Sequence, residues 1–308
     1  MTIELMIAIF QGIAIAATPL IFAALGELIV EKSGVLNLGV EGLMIIGAVA
    51  AFATTVSTGS FVLGILAGCL AGAALAALFG ILTLNLLSNQ VATGLALTLM
   101  GLGLSSLFGQ SFSGLSTPSF PRIQIPVLSE LPVIGPLLFA HDVLVYLSIF
   151  ATIAVTYFLN RTRAGLILRA VGENHDAAHA IGYGVIKIRF LAVLFGGAMA
   201  GLGGAYLSVV QTPLWAENMT AGRGWIALAL VVFATWKPGR VLFGAYLFGG
   251  ITIMQIHAQG FGIDIPSQFL SMLPYLATIL VLVAISRDKM TVKLNAPSCL
   301  GRVFHATS

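Results

Sequence analysis

Residues 61–86 read Phe61-Val62-Leu63-Gly64-Ile65-Leu66-Ala67-Gly68-Cys69-Leu70-Ala71-Gly72-Ala73-Ala74-Leu75-Ala76-Ala77-Leu78-Phe79-Gly80-Ile81-Leu82-Thr83-Leu84-Asn85-Leu86. No charge and no proline interrupts the run. At a rise of ~1.5 Å per residue it is long enough, as a helix, to cross the ~30 Å hydrocarbon core of a bilayer. Small residues recur at every fourth place, Gly64, Gly68, Gly72, Ala76 and Gly80, which lays one smooth ridge along the helix and predicts close approach of a second backbone. A tight packing seam and a moving seam both use such a ridge.

The surrounding chain extends the pattern. Of 308 residues, 58% are hydrophobic and 8% charged, where a soluble domain carries about a quarter charged. The mean hydropathy is +1.04, so an ordinary soluble protein is excluded. Apolar windows predict spans near 3–25, 35–57, 61–86, 90–109, 142–160, 190–210, 220–236, 241–257 and 269–286. The fold class is therefore all-α: a polytopic transmembrane helical bundle of about nine spans, within a range of about eight to ten, forming one domain over 1–308. The first stretch has Glu4 as its only charge before Glu27 and reads as a retained span, not a cleaved leader. Residues 225–236 would cover only ~18 Å, so the stretches between Arg223 and His257 are candidates for half-helices. Gly39-Val40-Glu41-Gly42 and Gly222-Arg223-Gly224 each precede an apolar run, a polar turn and a glycine-rich helix; in the topology derived below the first copy starts inside and the second outside, the relation expected of inverted repeats with broken helices.

An odd number of crossings puts the termini on opposite sides. With the C-terminus inside, Lys32, Arg161, Arg163, Arg169, Lys187, Arg189, Lys237, Arg240, Arg287, Lys289, Lys293 and Arg302 are internal, leaving Arg122 and Arg223 outside. That split predicts a multi-pass protein of the cell (inner or plasma) membrane, N-terminus out and the tail 287–308 in the cytoplasm. Cys69 in a span and Cys299 in the tail are separated, and neither predicts redox chemistry. The outer segment 110–141 carries Pro118, Pro121, Pro126, Pro132 and Pro136 and cannot be one helix; it reads as a cap or re-entrant piece. The inner loop 161–189 contains Gly172-Glu173-Asn174-His175-Asp176-Ala177-Ala178-His179-Ala180-Ile181-Gly182, a capped short helix closed by a glycine. So short a helix needs a partner surface to bury Ala177, Ala178 and Ile181.

Chemistry-bearing residues are few. Glu41 is the clear intramembrane charge, and burying a charge there is costly enough to suggest a role. It could line a polar translocation pathway with Asn37 and Gly42, or pair with a nearby donor and serve packing. Asn85, Gln90 and Thr93 cluster around an inner turn. They are weaker pathway candidates and read first as structural. His175 and His179 have helical metal-ligand spacing, but no third ligand is near in sequence, so no metal is predicted. No Gly-x-Ser-x-Gly elbow and no Gly-x-x-x-x-Gly-Lys-[Ser/Thr] loop occurs, so neither a serine hydrolase nor nucleotide chemistry is predicted on this chain. Nothing in the net charge of +3 points to nucleic acid.

Two stretches carry a family resemblance. Gly26-Glu27-Leu28-Ile29-Val30-Glu31-Lys32-Ser33-Gly34-Val35-Leu36-Asn37-Leu38-Gly39-Val40-Glu41-Gly42-Leu43-Met44 resembles the early signature of the permease subunits of ABC importers, in the branch handling ribose-like sugars, branched-chain amino acids and nucleosides. Arg169 through Gly182, with Arg189-Phe190-Leu191-Ala192 and the run Gly196 to Ala205, is similar to that branch's cytoplasmic coupling loop and following helix. His175 departs from it, since relatives often have proline there. The resemblance implies a transport subunit, not an enzyme. It implies as partners a separate ATP-binding subunit holding ATP and magnesium, a second permease subunit (identical or paralogous), an extracytoplasmic solute-binding protein, the solute and membrane lipid. Residues Gly172, Glu173, Asn174, His175, Asp176, Ala177, Ala178, His179, Ile181 and Gly182 would be the ATPase-coupling element. The 26–44 form is most similar to nucleoside permeases, with a simple-sugar permease as the alternative. A self-sufficient secondary transporter would want coupling charges in several spans.

Overall fold

In the computed structural model, residues 3–121, 123, 134–260 and 295–305 are described, with single positions between 269 and 283. The described elements are helical: α1 (Ile3–Lys32), α2 (Val40–Thr58), α3 (Phe61–Gly80) continuing as a π-helical turn Ile81–Asn85, α4 (Gln90–Gly109), α5 (Ile134–Leu138), α6 (Val143–Arg161), α7 (Arg163–Glu173), α8 (His175–Ala180), α9 (Val185–Ala205) continuing as a π-helical turn Tyr206–Gln211, α10 (Arg223–Phe233) and α11 (Pro238–Gly260). Among the described residues, seven helices are long and apolar enough to cross a bilayer, and α10 is a shorter apolar helix. The expected span 269–286 lies largely outside the described residues, as do 122 and 124–133 of the proline-rich segment.

Helix starts follow their caps. Ser60 accepts from the Leu63 amide, Asn89 from Ala92, Thr162 from Gly165 and Asn174 from Ala177, each serving a donor that the helix itself leaves unpaired. Several span boundaries differ from the sequence reading. The first helix runs to Lys32 instead of ending at residue 25, carrying Glu27 and Glu31 into the buried interior. The second begins only at Val40, because 33–39 is non-helical. Of the two stretches after Arg223, only the first is short; α11 is full length.

The bundle is centred on α1 and α9. They run antiparallel, with Gly26 against Gly196 and Met199, and Gly203 against the Pro19 carbonyl. Helix α9 packs on α2 and α3, while α1 packs on α10 and α11. Each central helix thus rests on the two helices that follow the other.

The ridge on α3 makes one of these contacts. A Cβ placed on Gly72 would lie 2.3 Å from the Gly197 carbonyl oxygen, and one on Gly201 would lie 2.2 Å from the carbonyl oxygen of Gly68. Across from them, a Cβ on Gly47 of α2 would fall 2.4 Å from the Gly201 Cα. Three backbones therefore converge at Gly201, gaining dispersion contact that a side chain would block. Gly201→Leu is expected to destabilise the bundle by at least ~3 kcal/mol, the upper part of the range for overpacking. Thermal unfolding of the detergent-purified protein checks it, and an unchanged melting temperature would contradict the contact.

Candidate functional site

Two breaks in the helical scaffold meet inside the bundle. The chain from 33 to 39 enters non-helically before α2, and the chain from 212 to 222 does so before α10. In hydrocarbon, every backbone N–H and C=O freed from a helix needs a partner within the protein. Around the first break, Gln90 Oε1 accepts from the Leu36 amide at 2.8 Å, Glu27 Oε1 from Asn37 N at 3.2 Å and Asn37 Oδ1 from Gly39 N at 2.8 Å. The Thr98 hydroxyl donates to the Leu38 carbonyl at 3.1 Å.

Glu41, in the first turn of α2, serves the second break. Its Oε1 accepts from the Thr220 hydroxyl at 2.5 Å and the Gly222 amide at 2.8 Å, and its Oε2 from the Gly224 amide at 2.6 Å. A carboxylate so placed satisfies the open donors at the start of α10 and lies against two positive helix ends at once. The approach requires glycine, because a Cβ on Gly224 would fall 2.5 Å from the Glu41 Cα. The two echoed segments, 39–42 and 222–224, are thus in direct contact. Arg223, expected on the outer side, instead begins α10 beside Glu41. That level is two turns into α4, since Gly42 packs on Leu97 and Thr98.

Of the pathway candidates, Asn37, Glu41, Gly42 and Gln90 gather around the breaks, with Gln90 Nε2 buried and unpartnered among the described residues. Asn85 and Thr93 do not join them. Thr93 pairs with Ser88 at 2.8 Å in the α3–α4 turn, and Asn85 is exposed. Glu27, which serves the Asn37 amide, belongs to the site and is not among those candidates; its signal in the sequence is the four-residue spacing from Glu31 on one helix face. Glu31 itself accepts from Trp236 Nε1 at 2.5 Å, beyond the C-terminal end of α10.

The loop 161–189 forms α7 and α8, capped at Asn174 and closed at Gly182 with φ +92°. The structure corrects which residues await a partner. Ala178 is buried by the chain's own Val171, Val185 and Phe304, whereas Ala177, Ala180 and Ile181 are exposed, Ile181 by 73%. His175 and His179, at metal-ligand spacing, flank the Phe304 ring, each with centroids 5.3 Å away. His175 Nδ1 accepts from Arg189 Nη2 at 3.0 Å, and burial, then the Arg189 charge, holds its pKa below the usual histidine value. The imidazole is consequently the neutral acceptor this contact needs. Segment 295–304 also packs here, and only the tertiary structure reveals it.

Glu41→Gln turns one acceptor into an NH₂ group facing donors, and is expected to cost about 1–3 kcal/mol, with Glu41→Leu costing more. Melting temperatures of the purified variants check this, and wild-type values for both would show that the carboxylate does not hold α10.

Comparison with known proteins places these features. The family described as "Branched-chain amino acid transport system / permease component" matches residues 9–283. The chain is 43% identical to the "Putative glucose ABC transporter permease protein TsgC13" of Haloferax volcanii, over 92% of this chain and 93% of that one. It is 36% identical to the "Nucleoside ABC transporter permease protein NupC" of Lactococcus lactis subsp. cremoris, over 89% and 90% of the two chains. It is 31% identical to the "Guanosine ABC transporter permease protein NupQ" of Bacillus subtilis, over 91% and 92%. No solved structure matches it. Because the family match runs through most of the chain and these relatives align along nine-tenths of their lengths, the chain belongs to this permease family and is the membrane subunit of an ABC transporter, ATP hydrolysis being the work of a separate subunit.

Proposed function

We propose that the chain forms, with a second permease subunit, the membrane path by which an uncharged nucleoside enters the cell, driven by an ATP-binding subunit that docks on α8. The observation that carries the docking is the exposed apolar edge of Ala177, Ala180 and Ile181. It lies on a helix of only six residues whose opposite side is already packed. ATP and magnesium belong to that partner, and a solute-binding protein delivers the solute at the other end of the bundle. Lys32, Arg169 and Lys237 lie near one another, and Arg189 and Arg302 join them at the loop end. This clustering supports a cytoplasmic loop and C-terminus and an external N-terminus.

An uncharged solute fits the interior. Glu27, Glu31, Glu41 and Asp142 are all buried, yet each accepts hydrogen bonds from the protein itself. The nucleoside relatives and the 26–44 signature favour a nucleoside. The 43% identity to a relative named for glucose favours a simple sugar as the second reading.

Ile181→Asp would put a charge into the docking contact and is expected to abolish co-purification of the ATP-binding subunit while membrane insertion survives. Unchanged co-purification would show that the loop is a solvated connector. Uptake of labelled uridine, challenged with unlabelled adenosine, ribose and glucose, decides the solute. Competition by adenosine is expected, and competition by the sugars alone would replace the nucleoside reading.

A further inference from the structure

Arg189 is 1% exposed, and among the described residues no carboxylate lies within ion-pair distance of it. Its guanidinium spends its donors in three directions instead. Nε donates to the Ser33 carbonyl at 3.1 Å, Nη1 to the Arg302 carbonyl at 3.0 Å and Nη2 to His175 Nδ1 at 3.0 Å. These acceptors belong to three separate parts: the first helix break, the tail and α8. A buried cation without a counter-ion is costly unless its hydrogen bonds are complete. The planar fork of an arginine also fixes the directions of its partners relative to one another.

The tail closes the same triangle through its backbone. The Cys299 amide donates to the Gly172 carbonyl at 2.9 Å, and the Gly301 amide to the Gly34 carbonyl at 3.1 Å. Lys32 Nζ donates to the Asn295 carbonyl at 2.7 Å, and the Ser298 hydroxyl to Glu173 Oε2 at 2.9 Å. Where loop and break touch directly, a Cβ on Gly172 would lie 2.2 Å from the Lys32 carbonyl oxygen. No slack separates the three parts.

We propose that Arg189 is a positioning residue for transport: it locks α8, segment 295–304 and the break 33–39 into one body, so that a displacement of α8 is delivered to Glu41 and the start of α10. The proposal rests on the reading of α8 as the docking element. The route is short, because Ser33 is followed within one non-helical segment by Val40, and Glu41 holds the start of α10 by three hydrogen bonds. His175 is the point at which α8 joins that route. It supplies the acceptor that ties α8 to the guanidinium.

The test uses the complex of this chain with its permease partner and ATP-binding subunit in proteoliposomes, reading co-purification and solute-stimulated ATP hydrolysis separately. Arg189→Lys keeps the charge and loses the fork. It is expected to keep the ATP-binding subunit bound while solute stimulation falls about tenfold, within the usual range of coupling between sites. His175→Leu should do the same, and His175→Asn, whose amide oxygen replaces the imidazole acceptor, should restore stimulation. Wild-type stimulation in Arg189→Lys and His175→Leu would overturn the proposal while leaving docking intact; loss of docking in Ile181→Asp is read independently. Should Arg189→Lys fail to fold, the His175 pair decides the matter, because it breaks the same contact from the α8 side. Lost stimulation in His175→Leu with recovery in His175→Asn supports the lock, and equal stimulation in the two variants overturns it.

Discussion

Hydrocarbon offers the backbone no hydrogen-bond partner, and most of this architecture answers that constraint. Where the chain stays helical, each amide is served within its own turn and the side chains are free to be apolar. Where it leaves the helix, at 33–39 and 212–222, other residues must supply the missing acceptors and donors. Glu27, Asn37, Glu41, Gln90 and Thr98 are the polar residues that do so. The hydrogen-bonding capacity of these residues is largely consumed at the two breaks.

Close packing of backbones is the complementary requirement. Lipid tails are as apolar as leucine, so helices gain little by hiding large side chains from them and associate where small residues allow dispersion contact and tight fit. The convergence of Gly47, Gly68 and Gly72 on Gly201 fixes α9 against both α2 and α3. Contacts of this kind leave few alternative positions for α9 against α2 and α3, because any shift would open voids or drive carbonyl oxygens together.

The loop end shows how a marginal element is made usable. Helix α8 is too short to be stable alone, yet Ala178 and His175 are held by Phe304, Val171, Val185 and Arg189. Its remaining side therefore projects Ala177 and Ile181 from a supported base. The tail thus anchors α8 from behind and leaves its other side exposed.

Hydropathy, the glycine spacing of 61–86, the caps at Asn174 and Gly182 and the clustering of basic residues were legible along the chain because each depends on neighbours within a few turns. The all-helical membrane class and most of the described spans follow from them. The echo of 39–42 and 222–224 was legible too, but not its meaning, since Glu41 and Thr220 are 179 positions apart and only folding brings an acceptor to those donors. The same distance in sequence hid the pairing of Glu31 with Trp236, the burial of Ala178 under Phe304 and the use of Arg189 as a junction. Local pattern determines whether a segment can sit in lipid as a helix. Which polar group answers which break is decided by the tertiary structure, because that choice depends on where unsatisfied backbone groups from distant segments come within about 3 Å of one another.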